Sequence, residues 1–111
     1  MTTLQQPSIN LDRAPARASF DDAVAAGPYD APSGAGHVLV TNAGAQTLNL
    51  PLVADGASVG QTLVVQQLGL GLLTVNVAVP GPVPLTGGQT ALLVANSDGA
   101  GDIAWTLLIA V

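Results

Sequence analysis

Between residues 56 and 97 the sequence holds no charged side chain, and from residue 38 onward only Asp55, Asp98 and Asp102 are charged. That absence constrains the chain more than any motif in it. Gly69, Gly71, Pro80, Gly81, Pro82 and Pro84 interrupt the stretch, so it never reaches the roughly 18 unbroken apolar residues of a membrane-spanning helix. Its pattern is that of strands. Val38 and Val40 alternate with Leu39 and Thr41, and Leu48 and Leu50 with Thr47 and Asn49. Leu63 and Val65 lie on one face of a run at 61–67, and Leu73, Val75, Val77 and Val79 alternate with Leu72, Thr74, Asn76 and Ala78. A further run covers 90–95. In the last, 103–111, residues Ile103, Trp105, Leu107, Ile109 and Val111 share a face. Residues 42–45, Asp55-Gly56, 68–71 and the glycine-rich 96–101 read as turns, with 80–84 an extended corner. Period-two alternation with this punctuation predicts an all-β domain over 37–111, a small antiparallel meander of six or seven strands, sandwich or barrel-like. Gln46-Thr47, Gln61-Thr62 and Gln89-Thr90 each open a strand and mark strand starts rather than a repeat architecture.

Residues 1–36 have a different character. Both arginines, Arg13 and Arg17, and four of the acids, Asp12, Asp21, Asp22 and Asp30, lie here among Pro7, Pro15, Pro28 and Pro32. The segment reads as an irregular N-terminal arm, bounded by Gly34-Ala35-Gly36, because it has too few large apolar residues to offset its ordering entropy alone. One short helix is expected near 20–26. Ser19 caps it, Asp21 and Asp22 suit its positive end, Phe20 and Val24 share a face, and Gly27-Pro28 stops it. Phe20 and Tyr29, two of the chain's three aromatics, sit where no local core exists, so the arm is expected to order against a partner. Arg13 and Arg17, four apart, could meet acidic side chains of that partner, with a solvated tail as the more frequent alternative for exposed charges. Trypsin is expected to clip the free chain rapidly after both.

Composition excludes much chemistry. Among 111 residues there is no cysteine, hence no thiolate nucleophile, zinc knuckle or iron–sulfur cluster. Two arginines without lysine, and a net charge of −5, make a poor nucleic-acid ligand. Residues 1–12 lack the charged and apolar regions of a signal peptide, so a soluble protein made in a cytoplasm is expected. His37, Asp55 and Ser58 could be assembled into a hydrolytic triad, with Ser97 a second candidate serine, but nothing in their spacing requires it. Asn96, Asp98 and Asp102 place oxygens as part of a calcium loop does, but the closing glutamate is missing and the loop reads as a hairpin turn. Trp105, flanked by an alternating apolar run, reads as a core or subunit-contact residue rather than a sugar platform. The expectation is therefore a protein with no enzyme activity, cofactor, metal, nucleic acid or membrane.

The second faces of the strands are also apolar: Leu39, Val64, Leu72, Ala78, Ala91, Leu93, Ala95, Leu108 and Ala110. A half-exposed antiparallel sheet carries polar residues there. An obligate homo-oligomer resolves the conflict, with Leu72, Leu93, Trp105 and Leu108 as subunit contacts; a sandwich burying both faces within one chain is the alternative.

Leu50-Pro51, Gly60-Gln61-Thr62-Leu63-Val64-Val65, Leu73-Thr74-Val75, Leu85-Thr86-Gly87-Gly88-Gln89-Thr90, Leu93-Val94 and Trp105 together form a sequence of phrases over about residues 46–110. It resembles the β-modules of tailed-bacteriophage virion proteins, namely capsid decoration (cement) proteins and head or tail fibres. With an irregular arm and a small β-domain, the chain is more similar to a decoration protein. That resemblance implies a homotrimer on the outer capsid surface of the virion, bound to the major capsid protein and stabilising the expanded shell. Arg13, Arg17, Phe20 and Tyr29 of the arm are then the expected capsid contacts. The second reading is a receptor- or glycan-binding module of a head or tail fibre.

Overall fold

A computed structural model describes residues 16–21 and 27–111. The chain is all-β, with nine strands and one short 3-10 turn at Val53–Asp55 among the described residues. The strands are β1 (Ala16–Phe20), β2 (Tyr29–Asp30), β3 (Ala35–Val40), β4 (Gln46–Asn49), β5 (Thr62–Gln67), β6 (Leu73–Val75), β7 (Val83–Leu85), β8 (Thr90–Ser97) and β9 (Ile103–Ala110). They form two mixed sheets, a five-stranded one ordered β1-β3-β5-β8-β9 and a four-stranded one ordered β2-β4-β6-β7.

This is not the single antiparallel meander that the punctuation suggests. From β1 to β6 the chain changes sheet at every strand, so strands two apart in sequence lie side by side. β1, β3 and β5 are parallel neighbours, as are β2, β4 and β6. Three coils of a flattened helix result, and each strand of one sheet serves as the crossover that parallel pairing in the other requires. The antiparallel strands come last: β7 closes the four-stranded sheet, and β8 and β9 extend the five-stranded one. The predicted turns at 42–45 and 68–71 are therefore corners between sheets, and the predicted corner at 80–84 runs into β7 at Val83. The hairpin loop between β8 and β9 falls where the glycines place it.

Stacked coils put like residues in rows. Ala18, Val38, Val65 and Ala91 are in register across the five-stranded sheet, as are Leu63, Leu93 and Leu107. Tyr29, Leu48, Val75 and Val83 form the facing row of the other sheet. Leu48, Leu63, Leu73, Leu85 and Leu93 are all fully buried, and each contributes roughly 1.5–3 kcal/mol of transfer free energy. The indole of Trp105 closes one end, its Nε1–H donating to the Pro51 carbonyl at 2.8 Å.

The corners carry the only two fully buried amide side chains among the described residues, Asn42 and Gln67. Gln67 Nε2 donates to Asn42 Oδ1 at 2.5 Å and to the Gly71 carbonyl at 2.8 Å, while its Oε1 accepts from the Gly69 N–H at 2.9 Å. Asn42 Nδ2 donates to the carbonyls of Gly44 at 2.6 Å and Leu72 at 3.2 Å. Backbone runs against backbone here. A Cβ on Gly69 would lie 2.1 Å from the Asn42 carbonyl oxygen, and one on Gly71 2.4 Å from that of Gly44. Only glycine lets the second and third coils approach this closely.

Several expectations are corrected. The boundary at residue 36 falls inside β3, and Ala16–Phe20 and Tyr29–Asp30 are strands, one in each sheet. Ser19 and Phe20 end β1 rather than starting a helix; 22–26, the rest of that segment, lie outside the described residues. Phe20 stacks on Tyr29, ring centroids 4.9 Å apart, and Tyr29 is buried. Ala91, Leu93 and Ala95 face the core, because β8 is apolar on both faces and alternation alone could not set its phase. The last strand does not keep one face throughout. An irregularity at Leu92/Leu93 leaves Leu108 as the extra residue of a β-bulge, and Ile109 turns outward.

Gly69→Ala is expected to lower stability by about 1–3 kcal/mol through overpacking at the corner. Gln67→Leu is expected to cost about 1–3 kcal/mol by stranding buried carbonyls. Urea unfolding of each variant measures both. Trypsin should cut after Arg17 slowly, contrary to the sequence expectation, since β1 must first unpair from β3; the rate is read by mass spectrometry of a digestion time course.

Candidate functional site

Three parts of the surface concentrate the residues that sequence reasoning singled out. The first is the outer face of the five-stranded sheet. Register sets His37, Val64, Leu92 and Ile109 in one row across β3, β5, β8 and β9, with Arg17 beyond His37 on β1. Leu39 pairs with Gln66, and Thr62 and Thr106 flank Val94. His37 and Gln66 join diagonally, Nε2 to Oε1 at 2.6 Å. The imidazole's partner is thus an amide on the neighbouring strand.

The second is a polar groove of about 530 Å³ lined by Asp30, Ser33, Asn49 and Asp55 with Ala31, Pro32, Leu50 and Pro51. Its polar groups are engaged by the chain itself. Asn49 Nδ2 donates to Asp30 Oδ1 at 3.0 Å, and Asn76 Nδ2 donates to Asn49 Oδ1 at 2.6 Å, a ladder stepping through the three coils. Asp55 Oδ2 accepts from the Leu52 N–H at 3.0 Å, and the Ser58 N–H donates to Gln61 Oε1 at 3.3 Å. His37, Asp55 and Ser58 therefore each serve a different local contact, and the structure assembles no relay from them.

The third is the β8–β9 loop. Asp98 Oδ1 accepts from the N–H groups of Ala100 at 2.7 Å and Asp102 at 3.0 Å, and Ser97 Oγ accepts from the Gly99 N–H at 3.1 Å. These backbone donors, that of Ala100 foremost, hold the Asp98 carboxyl below the usual aspartate range. Asp102 Oδ1 accepts from Ile103 N–H at 2.8 Å and Val53 N–H at 2.9 Å, fastening the loop to the 3-10 turn. The oxygens that resemble calcium ligands thus organise a hairpin. Among the described residues no three His, Cys, Asp or Glu side chains are grouped to hold a metal ion.

The expected contact residues separate cleanly. Of the expected subunit contacts, Leu93 and Trp105 are buried in the chain's own core, whereas Leu72 and Leu108 are exposed. Of the expected capsid contacts, Tyr29 is a core residue, Arg17 is exposed on β1, and Phe20 is half-buried against the core. Arg13 lies outside the described residues. Sequence reasoning missed Leu70, which is 96% exposed at a corner tip, and the outward turn of Ile109. Leu68-Gly69-Leu70-Gly71-Leu72 was the available signal for the first. No helix among the described residues is long and apolar enough to cross a membrane.

Compared with known proteins, the chain matches no family model, no curated protein and no solved structure.

The Asp98 contacts have a definite pH signature. A carboxyl whose folded pKa is depressed contributes stability above its unfolded pKa and loses it as pH falls through the folded value. Asp98→Asn, which keeps an accepting oxygen without the charge, is expected to melt below the parent at neutral pH. The gap between the two melting temperatures should close in acid, below the ordinary aspartate range. Thermal melts of both proteins across that range check it.

Proposed function

We propose that the chain is a structural virion protein that binds the outer surface of a tailed-bacteriophage capsid as a homo-oligomer, a trimer by resemblance, and stabilises the expanded shell. The observation that carries this reading is the division of labour among the side chains. Asp30, Asp55, Asp98 and Asp102 are all engaged by the chain's own backbone or by Asn49. What the surface offers instead is apolar area, with Leu70, Leu72, Val79, Leu108 and Ile109 all exposed. Such a surface supports adhesion rather than chemistry.

On this reading the oligomer spans neighbouring copies of the major capsid protein, with Arg13 and Arg17 as arm contacts. Binding that occurs only to the assembled, expanded lattice shifts the equilibrium toward that lattice by mass action. It opposes the outward pressure of packaged DNA with no covalent step. A glycan-binding role in a fibre has less support, because Trp105 and Tyr29 are buried and Phe20 stacks on Tyr29, leaving no exposed ring as a sugar platform among the described residues.

Mixing the protein with undecorated expanded capsids should give saturable binding and a higher capsid melting temperature by calorimetry. Absence of binding, or binding with an unchanged melting temperature, overturns the proposal.

A further inference from the structure

We propose that copies of this chain meet through the apolar patch at the open end of the β8–β9 hairpin, formed by Val64, Leu92, Leu108 and Ile109 with Val79 beside them. The inference rests on reading the chain as a self-associating protein and names the surface responsible. Three observations carry it.

The first is the bulge. Val64 pairs with Leu92, and Leu92 with Ile109, so three apolar side chains lie abreast on the outer face. Regular alternation would send Leu108 and Ile109 to opposite faces. With Leu108 unopposed in the ladder, both are exposed, at 57% and 53%. Bulges re-aim side chains, and this one places two adjacent large apolar residues in solvent, an arrangement that is unfavourable in a free monomer.

The second is the sheet edge. β9 is the terminal strand. Residues 78 and 79 cover its outer edge at Trp105–Leu107: the N–H groups of Ala78 and Val79 donate to the Trp105 carbonyl, and the Leu107 N–H donates to the Val79 carbonyl. No described strand continues that cover past Leu107. The remainder of β9, Leu108, Ile109 and Ala110, has neither the lysine nor the proline that guards exposed edges. Val79, 52% exposed, extends the apolar patch onto the cover itself.

The third is charge, and it selects the occupant. The chain carries −5 overall, so two copies repel wherever carboxylates meet. Asp98 and Asp102 sit at the opposite, closed end of the hairpin, and the patch contains no carboxylate side chain. His37, bonded to Gln66, borders it on β3, with Arg17 one strand further; neither β5, β8 nor β9 contributes an ionisable side chain to this part of the face. A basic partner gains nothing at such a surface. A second copy of the same chain approaches here with the least repulsion and covers like with like.

The test is sedimentation mass in dilute solution for the parent, Ile109→Asp and Leu70→Asp, with emission of the single tryptophan, buried Trp105, reporting the fold. The expected result is an oligomeric parent, an oligomeric Leu70→Asp and an Ile109→Asp that falls to the single-chain mass of 11.0 kDa with native emission. If Ile109→Asp loses native emission, Leu108→Asp replaces it, since that side chain stands on the bulge. An oligomeric, folded Ile109→Asp or Leu108→Asp overturns the surface while leaving self-association intact. Dissociation by Leu70→Asp alone moves the contact to the leucine corner and likewise overturns it. A monomeric parent removes self-association and this surface with it.

Discussion

The close passage of one corner over the next, at Asn42 and Gln67, is the constraint on which the architecture depends. Parallel coils share a core only if the chain can turn from one sheet to the other without leaving backbone groups unpaired at the bend. Gln67 bonds to three groups there and Asn42 to three, all inside a region closed to solvent. Gly69 and Gly71 supply the clearance. Buried amides left half-satisfied would be worse than apolar residues, whereas a fully bonded set fixes a single register. The Val40 carbonyl, which accepts from the N–H groups of Leu68 and Gly69, carries the same stacking through the main chain.

A fold held this way has little need of charge. The core is filled mainly by valine, leucine and alanine, with Tyr29, Ile103 and Trp105 among them, and the external polar ladder of Asp30, Asn49 and Asn76 steps along the same coils. Asp55, Asp98 and Asp102 brace loops. Asp102 is the clearest case, since it joins the β8–β9 hairpin to the 3-10 turn far away in sequence. The chemistry-bearing residues are thus structural, and the surface left over is apolar and nearly free of ionised groups. The proposed adhesion to a shell and the proposed adhesion between copies both start from that physical situation.

Much of the fold was legible in the residues. Val38 and Val40, Leu63 and Val65, and Leu73 and Val75 all face the core, because strict alternation survives any choice of topology. The 96–101 loop was legible because Asn, Asp and Gly leave few alternatives to a hairpin. The candidate surface was legible only in outline. Leu108 stood out by its apolar neighbours, but Leu93 and Trp105 shared the same signal and proved to be core. A run such as Leu92-Leu93-Val94 is apolar in both phases, so only the packing of the opposite sheet decides which side is in.

By itself, then, the sequence determined that this chain is all-β, poor in charge and apolar beyond the needs of one face. Those properties follow from composition and a local period of two, which every residue carries with it. Only the tertiary structure decided that the turns at 42–45 and 68–71 lead to the other sheet instead of doubling back, that β1 and β2 join the two sheets, and that a bulge at Leu108 turns Ile109 outward. Each depends on hydrogen bonds between residues distant in the chain, and a local pattern contains no information about which distant strand will complete the ladder.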